Sequence, residues 1–487
     1  MAVDGRSDSV VSESSRRKIL AVLLVTVSMS LIGISIINVA LPSIKNSLAA
    51  SDSDLQWVLA GYALTFGIVL VSAGRAGDVL GRGSLYIFGI AVFAASSVVA
   101  GLAVDVSVLN AARLAQGLGS GILSPQIIGM IQHHFRGQDR ARAFGLYGSV
   151  VGLSMGIGPL IGGAIVAIAG ELEGWRWTFF VNVPVSVVAI VLAIKWFPKP
   201  LYTRRSSLSE STTRTSSTRL DLDPVGIALL GIAILGILLP FVTKPVTLWT
   251  ISMLPAGCGA IILWLYWERR YRRIGRTPIV DLDMFKSRRF TNGVTLATVY
   301  FFAITSIWVL VALYMLQELD RSPFEAGLIG LPSALGATLT ARWTGRHVTR
   351  FGRRIVTAGI VIAMTGVLLS IVVIQLQANG LASEWWLLAT LTLIGIAQGS
   401  VISPNQTLTL SDAPLHYAGS TGGILQTGQR IGSAIGLGVI TAIAFWVRAE
   451  FGWPAAITVS FVAIALALAF CLGVAMRDMA QRKADGQ

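Results

Sequence analysis

Charge is scarce in this sequence. Only 13% of its 487 residues are Asp, Glu, Lys or Arg, about half the share of an ordinary soluble domain. The length alone would allow several globular domains, but so few charges cannot cover several water-exposed surfaces. Two cysteines, Cys258 and Cys471, both inside apolar runs, exclude a disulfide framework and a four-cysteine metal site. Four histidines, with only His133 and His134 adjacent, argue against a metal enzyme. There is no Gly-x-x-x-x-Gly-Lys-Ser/Thr loop for ATP, no His-Glu-x-x-His site, and no nucleophile with a convincing base. A net charge of +14 does not point to nucleic acid, because the basic residues come in short bursts between apolar segments.

What is there is apolar. Hydrophobic residues make up 54% of the chain, in runs that recur from Ile19 to Leu472. A spanning helix needs about 20 residues to cross about 30 Å of hydrocarbon. Fourteen segments reach that length: 19–41, 56–74, 84–103, 109–130, 143–168, 177–197, 223–241, 249–267, 290–315, 325–343, 355–376, 384–404, 419–446 and 454–474. The first is expected to be an uncleaved span, since it lacks a small-x-small cleavage site. The fold class is therefore an all-α polytopic membrane protein. Its expected organisation is a tail 1–18, a six-helix bundle 19–197, a mobile Ser/Thr/Arg linker 198–222 and a helix pair 223–267. A basic linker 268–289, a second six-helix bundle 290–475 and a tail 476–487 follow. If the N-terminus is cytoplasmic, the opposite turns hold only Lys45, Arg176, Lys244, Arg321 and Arg448 of the 38 basic residues. The positive-inside rule then puts both termini in the cytoplasm. Six plus six is the plan of transporters whose path lies between two halves.

Three motifs carry the functional expectations. The fifth span reads Gly148-Ser-Val-Val-Gly-Leu-Ser-Met-Gly-Ile-Gly-Pro-Leu-Ile-Gly-Gly163. Gly148, Gly152 and Gly156 make one flat face for a close helix neighbour, and Gly158-Pro159 is expected to bend the helix. Gly162 and Gly163 continue the pattern. Packing and a hinge for alternating access are both open readings. In the turn Gly74-Arg75-Ala-Gly-Asp78-Val-Leu-Gly-Arg82, Asp78 beside Arg75 and Arg82 can clamp a neighbouring helix end, especially a positive N-terminus. The second half echoes it as Gly345-Arg-His-Val-Thr-Arg350-Phe-Gly-Arg-Arg354, keeping the arginines without the acid. That echo indicates duplicated halves with unequal clamps.

None of the 24 acidic residues falls clearly at mid-membrane, although proton-driven transport normally needs a buried titratable group. The nearest candidates for a proton carrier are the rim residues Asp105 and Glu325. Arg113 lies within the fourth span with Gln116 on nearly the same helical face, and is expected to face the central path. Gln426, Gln429 and Arg430 form a second polar cluster in the thirteenth span. Asn38, Trp57, Tyr62 and Trp308 are further candidates for a substrate cavity. A path with arginines and no carboxylates suits neutral, zwitterionic or anionic amphiphiles better than lipophilic cations.

On these residues the sequence resembles the major facilitator superfamily, and within it the fourteen-span drug:proton antiporters, over about residues 19–475. Gly74 to Arg82 looks like the superfamily's loop motif, and Arg113-Leu-Ala-Gln-Gly like its fourth-span motif, whose arginine is linked to proton transfer. Gly148 to Gly163 resembles the antiporter motif. Ile36-Ile-Asn-Val-Ala-Leu-Pro42, Gln56-Trp57 with Tyr62, and Trp175-Arg-Trp-Thr-Phe-Phe-Val-Asn-Val-Pro184 resemble the fourteen-span branch. The resemblance implies a six, two and six arrangement of transmembrane helices with the pair at the periphery, and a monomer in the plasma (inner) membrane among its lipids. It implies export of hydrophobic or amphipathic small molecules, with a proton as coupling ion and no other cofactor. Two departures stand out: Gly33 occupies the place where many relatives have an aspartate, and Gln429-Arg430 inverts their usual order. Transport of lipid or a hydrophobic metabolite, along a groove beside the inserted pair and with different or no proton coupling, is the alternative.

Overall fold

The computed structural model describes residues 12–484 apart from 171, 199–222, 243–247, 277 and 412–417. The Ser/Thr/Arg linker beyond its first residue, and the N-terminal tail up to residue 11, lie outside the described residues. Those described form sixteen α-helices and two 3-10 turns, without a strand. The first eight helices are α1 (Glu13–Ser35), α2 (Ile37–Leu48), α3 (Asp52–Leu80), α4 (Arg82–Gly101), α5 (Val106–His134), α6 (Gly137–Ala169), α7 (Gly174–Phe180) and α8 (Asn182–Trp196). Next come α9 (Pro224–Val242) and α10 (Leu248–Arg273). The last six are α11 (Arg288–Gln317), α12 (Pro323–Leu328), α13 (Leu331–Phe351), α14 (Arg353–Ala378), α15 (Leu387–Ser411) and α16 (Ala418–Ala484).

The helix starts are locally encoded. Ser51 and Asp54 close a capping box on α3, and Asp105 accepts from the Ser107 and Val108 amides at the head of α5, satisfying donors that a helix leaves unpaired. Two helix junctions fall on glycines at equivalent places in the two echoing turns. Gly81, φ 101°, separates α3 from α4, and Gly352, φ 54°, separates α13 from α14. Both conformations are disfavoured for residues with a Cβ. Gly452, φ 77°, interrupts α16.

Among the described residues, 11 helical stretches are long and apolar enough to cross a membrane. The chain is an all-α, multi-pass membrane protein. Side chains such as Val188, Val191, Leu466 and Phe470 stay exposed on its outside, a surface unsuited to water that lipid solvates. The first-half cores gather α1–α8, with Ala297, Leu410 and Leu425 of the second half joining one of them; another core gathers α11 and α13–α16. The two halves meet through α6 on α13 and through α3 on α16. Helix α9 packs on both α3 and α16, with α10 behind it, so the pair covers one side of the seam. The start of α1, the end of α16 and the Gly81 and Gly352 junctions share one face of the molecule, here the terminal face.

The basic stretch after α10 is ordered against this pair. Ile279 and Val280 are buried with Leu230, Ile234 and Trp264. Arg272 pairs with Asp281 at 3.1 Å and with Asp283 at 2.5 Å, and Lys286 with Asp283 at 2.7 Å. Hydrogen bonds from Arg272, then Lys286, push the exposed Asp283 carboxyl down to about 2. Asp223 and Glu268, which the sequence places in the linkers or their rims, are each 1% exposed. Asp223 accepts from the Gly226 amide at 3.0 Å and the Trp267 indole at 2.8 Å.

Candidate functional site at the seam between the halves

At the terminal face the carboxylate of Asp78, 1% exposed, closes the seam. One oxygen accepts from Arg82 Nη2 at 2.8 Å and from the Gly419 amide at 3.0 Å. The other accepts from the Ser420 amide at 3.1 Å and its hydroxyl at 3.0 Å. Gly419 and Ser420 open α16, so the acid neutralises helix donors that have no intrahelical partner and meets the positive end of the macrodipole. The approach depends on Gly74, because a methyl there would stand 2.4 Å from the Gly419 carbonyl oxygen. Arg82 also donates to the Gly129 carbonyl at 2.8 Å, and Gln132 to the Ala418 carbonyl at 3.1 Å. Arg75 is buried in the same region.

The echoing turn meets the other half too. Thr349 stands in register with Asp78, and its hydroxyl donates to Gln138, whose amide donates to the Arg346 carbonyl. Gln138 is the second residue of α6, as Gly419 is of α16. Gly145 and Gly345 touch backbone to backbone; a Cβ on Gly145 would lie 2.7 Å from the Gly345 Cα. The acid that the echo lacks comes from elsewhere. Arg353, in register with Arg82, pairs with Asp478 near the end of α16 at 2.5 Å, both side chains 1% exposed. Arg353 also donates to Asn405 of α15, and Asn292 of α11 to Asp478 at 3.3 Å. All four belong to the second half, so separation of the halves would leave this network intact.

The glycines of α6 divide by face. Gly148, Gly152 and Gly156 face Ala341, Ala337 and Ala334 of α13; a Cβ on Gly156 would stand 2.5 Å from that of Ala334. Gly158 and Gly162 instead face Ser35 and Ile36 within their own half, and Gly163 has only Val39 at 3.9 Å. Helix α6 runs through Pro159 as one 33-residue helix, so the proline does not interrupt it. The break lies opposite, between α1 and α2 at Ile36, against which Gly162 packs.

Deeper in the bundle stand two arginines. Arg113 is 1% exposed and satisfied within the first half. It donates to the Val58 carbonyl at 2.8 Å and to Gln116 at 2.6 Å, and Gln116 donates to Ser97 at 2.7 Å. Its guanidinium lies 4.5 Å from the Tyr62 ring centroid. The sequence expects Arg113 to face the central path; its donors turn into the first bundle, and its guanidinium face lies over Tyr62. Arg430 of α16 reaches across the seam, 4.4 Å from the Phe66 centroid of α3. Tyr62 and Tyr147 are the ionisable groups that act on it. Gln426, one turn before Arg430, is buried and Gln429 is half-buried.

Other expected residues are not joined to this cluster. Asn38 and Trp57 are exposed and Trp308 packs partly buried on the second core; none makes a hydrogen bond or ring contact with it. Asp105 caps α5, and Glu325 accepts from the Ser322 amide at 2.9 Å and hydroxyl at 2.8 Å to cap α12. Asp105 is exposed and Glu325 half-buried, and both carboxylates are engaged as helix caps. Gly33 sits beside Asn182 and Phe93, with room for a Cβ at 3.5 Å. No group of three or more His, Cys, Asp or Glu able to hold a metal occurs among the described residues.

A closable seam between two echoing helical halves is the architecture of a transporter, and comparison with known proteins agrees. The pattern of the Major Facilitator Superfamily matches residues 23–437. The chain belongs to that superfamily. Its members are secondary-active transporters of small molecules and act by transport, not catalysis. The chain is 30% identical over 446 residues to a probable actinorhodin transporter of Streptomyces coelicolor, covering 91% of this chain and 75% of that one. It is 28% identical over 425 residues to the multidrug resistance protein Stp of Mycobacterium tuberculosis, covering 85% and 73%. The crystal structure of the human organic anion transporter MFSD10 superposes with a TM-score of 0.67 at 14% identity, covering 94% of this chain and 99% of that one. At that identity the likeness concerns the fold alone.

Proposed function

We propose that this superfamily member is an exporter of hydrophobic or amphipathic small molecules, of the fourteen-span drug:proton antiporter kind. Fourteen spans follow when α5 and α13 join the 11 apolar stretches and α16 is divided at Gly452. They group as six, then α9 and α10, then six, separated by the linkers 198–222 and 268–289. Both termini are cytoplasmic in a plasma (inner) membrane, since the basic residues gather on the terminal face, and the working unit is a monomer.

The observation that carries the reading is the Asp78 junction. A buried carboxylate of one half holds the first amides of a helix of the other, and only separation of the halves releases it. In this reading Asp78, with Arg75 and Arg82, stabilises the state closed to the cytoplasm. The glycines from Gly148 to Gly156 let α6 rock on α13, while Gly158 to Gly163 with Pro159 seat it on α1 and α2. Arg113 and Gln116 keep a coupling role through Tyr62, between the buried arginine and the seam. Tyr62, Gln426, Gln429 and Arg430 line the substrate path. With Asp105 and Glu325 serving as caps, Asp78 and the buried pair Asp223 and Glu268 become the carboxylates to test as proton carriers. Lipid movement beside α9 is the less favoured reading, because α9 covers the seam between α3 and α16.

The test is flux of amphiphilic dyes in proteoliposomes with and without an imposed pH gradient. Uphill movement driven by the gradient and abolished by Arg113→Ala supports antiport. Downhill movement indifferent to pH would remove the proton from the account and leave a facilitator.

A further inference from the structure

We infer that Arg430 is a subsite for the acidic group of an aromatic amphiphile, which names the substrate class of the exporter proposed above and rests on that reading. The comparison with Arg113 makes the case. Arg113 spends its donors on Val58 and Gln116. Arg430 makes no hydrogen bond or ion pair with any described residue, and its guanidinium lies over the face of Phe66. It lies 12 residues into α16, roughly 18 Å along the helix axis, near the middle of about 30 Å of hydrocarbon. A cation at that depth is costly unless it faces water, a partner or a ligand. Arg430 faces the seam, since the rings acting on it belong to α3 and α6 of the other half. Its side chain is half-buried there.

Stacking on Phe66 fixes the guanidinium by its face and leaves its edge of N–H donors open. That edge matches a carboxylate or sulfonate, which can accept two parallel hydrogen bonds. Among the described residues no carboxylate pairs with it. The ionisable neighbours are the phenols Tyr62 and Tyr147, and the buried carboxylates of the described residues, Asp78, Asp223, Glu268, Glu384 and Asp478, lie in the end turns of helices or in a 3-10 turn. Phe66, Tyr62 and Tyr147 supply aromatic surface beside the charge. A ligand with a planar ring system and one acidic group satisfies both features, whereas an ammonium group would meet an uncompensated like charge.

The experiment uses the full-length protein in nanodiscs, with protein-free nanodiscs as background. The probes are 8-anilinonaphthalene-1-sulfonate, its uncharged parent N-phenyl-1-naphthylamine, and an analogue bearing a trimethylammonium group. The wild type is expected to bind the sulfonate on the order of tenfold tighter than the parent, the change that one charge-assisted hydrogen bond supports. Arg430→Gln should erase that preference while changing affinity for the parent by less than about twofold, and Arg430→Lys should keep part of it. Phe66→Leu, which removes the stacking face, should weaken the preference without abolishing it. Equal binding of sulfonate and parent, tightest binding of the ammonium analogue, or an unchanged preference in Arg430→Gln would overturn the inference. Flux of the same probes separates the two proposals. Arg430-dependent binding without flux would remove the exporter reading and leave the subsite. Flux indifferent to probe charge would remove the subsite and leave the exporter.

Discussion

The turns Gly74–Arg82 and Gly345–Arg354 share one pattern of glycines and arginines, yet they hold the terminal face by different forces. In the first, Asp78 extends a carboxylate across the seam to the amides of Gly419 and Ser420. In the second, the position of Asp78 is taken by Thr349, and a neutral hydroxyl meets the Gln138 amide. The arginines differ in the opposite sense. Arg82 belongs to the seam junction through Asp78, whereas Arg353 turns inward to Asp478 and never leaves its half. The first is a charged junction across the seam and the second a charged pair within one half; in the proposed cycle the junction opens and the pair stays shut. An exchange between two states needs contacts that break at modest cost and bundles that do not deform while they break.

The largest effect should come from the pair that stays shut. Asp478→Ala leaves Arg353 buried without its carboxylate, which typically costs about 3–5 kcal/mol. The measurement is the thermal midpoint of the purified protein: a large fall is expected, partly recovered in Arg353→Leu with Asp478→Leu. An unchanged midpoint would show that the pair is not a structural staple. Asp78→Asn keeps the shape and removes the charge at the seam. Transport should fall about tenfold, in line with losing charge-assisted hydrogen bonds, while the thermal midpoint moves little. Loss of stability in proportion to transport would erase the distinction between the two acids.

Gly156→Leu tests the surface along which the halves meet. Its Cβ alone would stand 2.5 Å from that of Ala334, whereas Gly163 has open space. Gly156→Leu should therefore impair flux severalfold and Gly163→Leu should not; equal behaviour of the two would deny that α6 closes on α13. The smallest effect belongs to Thr349→Val, which removes one neutral hydrogen bond worth about 1 kcal/mol net. Flux should change by less than about threefold, and a loss as deep as that of Asp78→Asn would make the two junctions equals.

The sequence made the helical character and membrane setting plain, because apolar runs of spanning length leave few alternatives. It also marked both turns, since their glycines and arginines recur in order. Their partners were beyond it. Gly419 is 341 residues from Asp78 and Asp478 is 125 from Arg353, and no local spacing connects them. The acid seemingly absent from the second turn was present in the sequence as Asp478, hidden by its place in the C-terminal segment. The capping role of Asp105 and Glu325 is the reverse case, legible locally from Asp105 before α5 and Ser322 three residues before Glu325. Arg113 and Arg430 look alike in sequence, and only packing separates the satisfied arginine from the open one.

The central claim is that Asp78 keeps the halves together at the terminal face. Its most direct test is a distance distribution between spin labels at Asp139 on α6 and Arg350 on α13, both exposed, with the exposed Cys258 replaced by serine. In the wild type the account predicts a dominant short population, and in Asp78→Asn a shift toward a longer one. Identical distributions in the two proteins would contradict it.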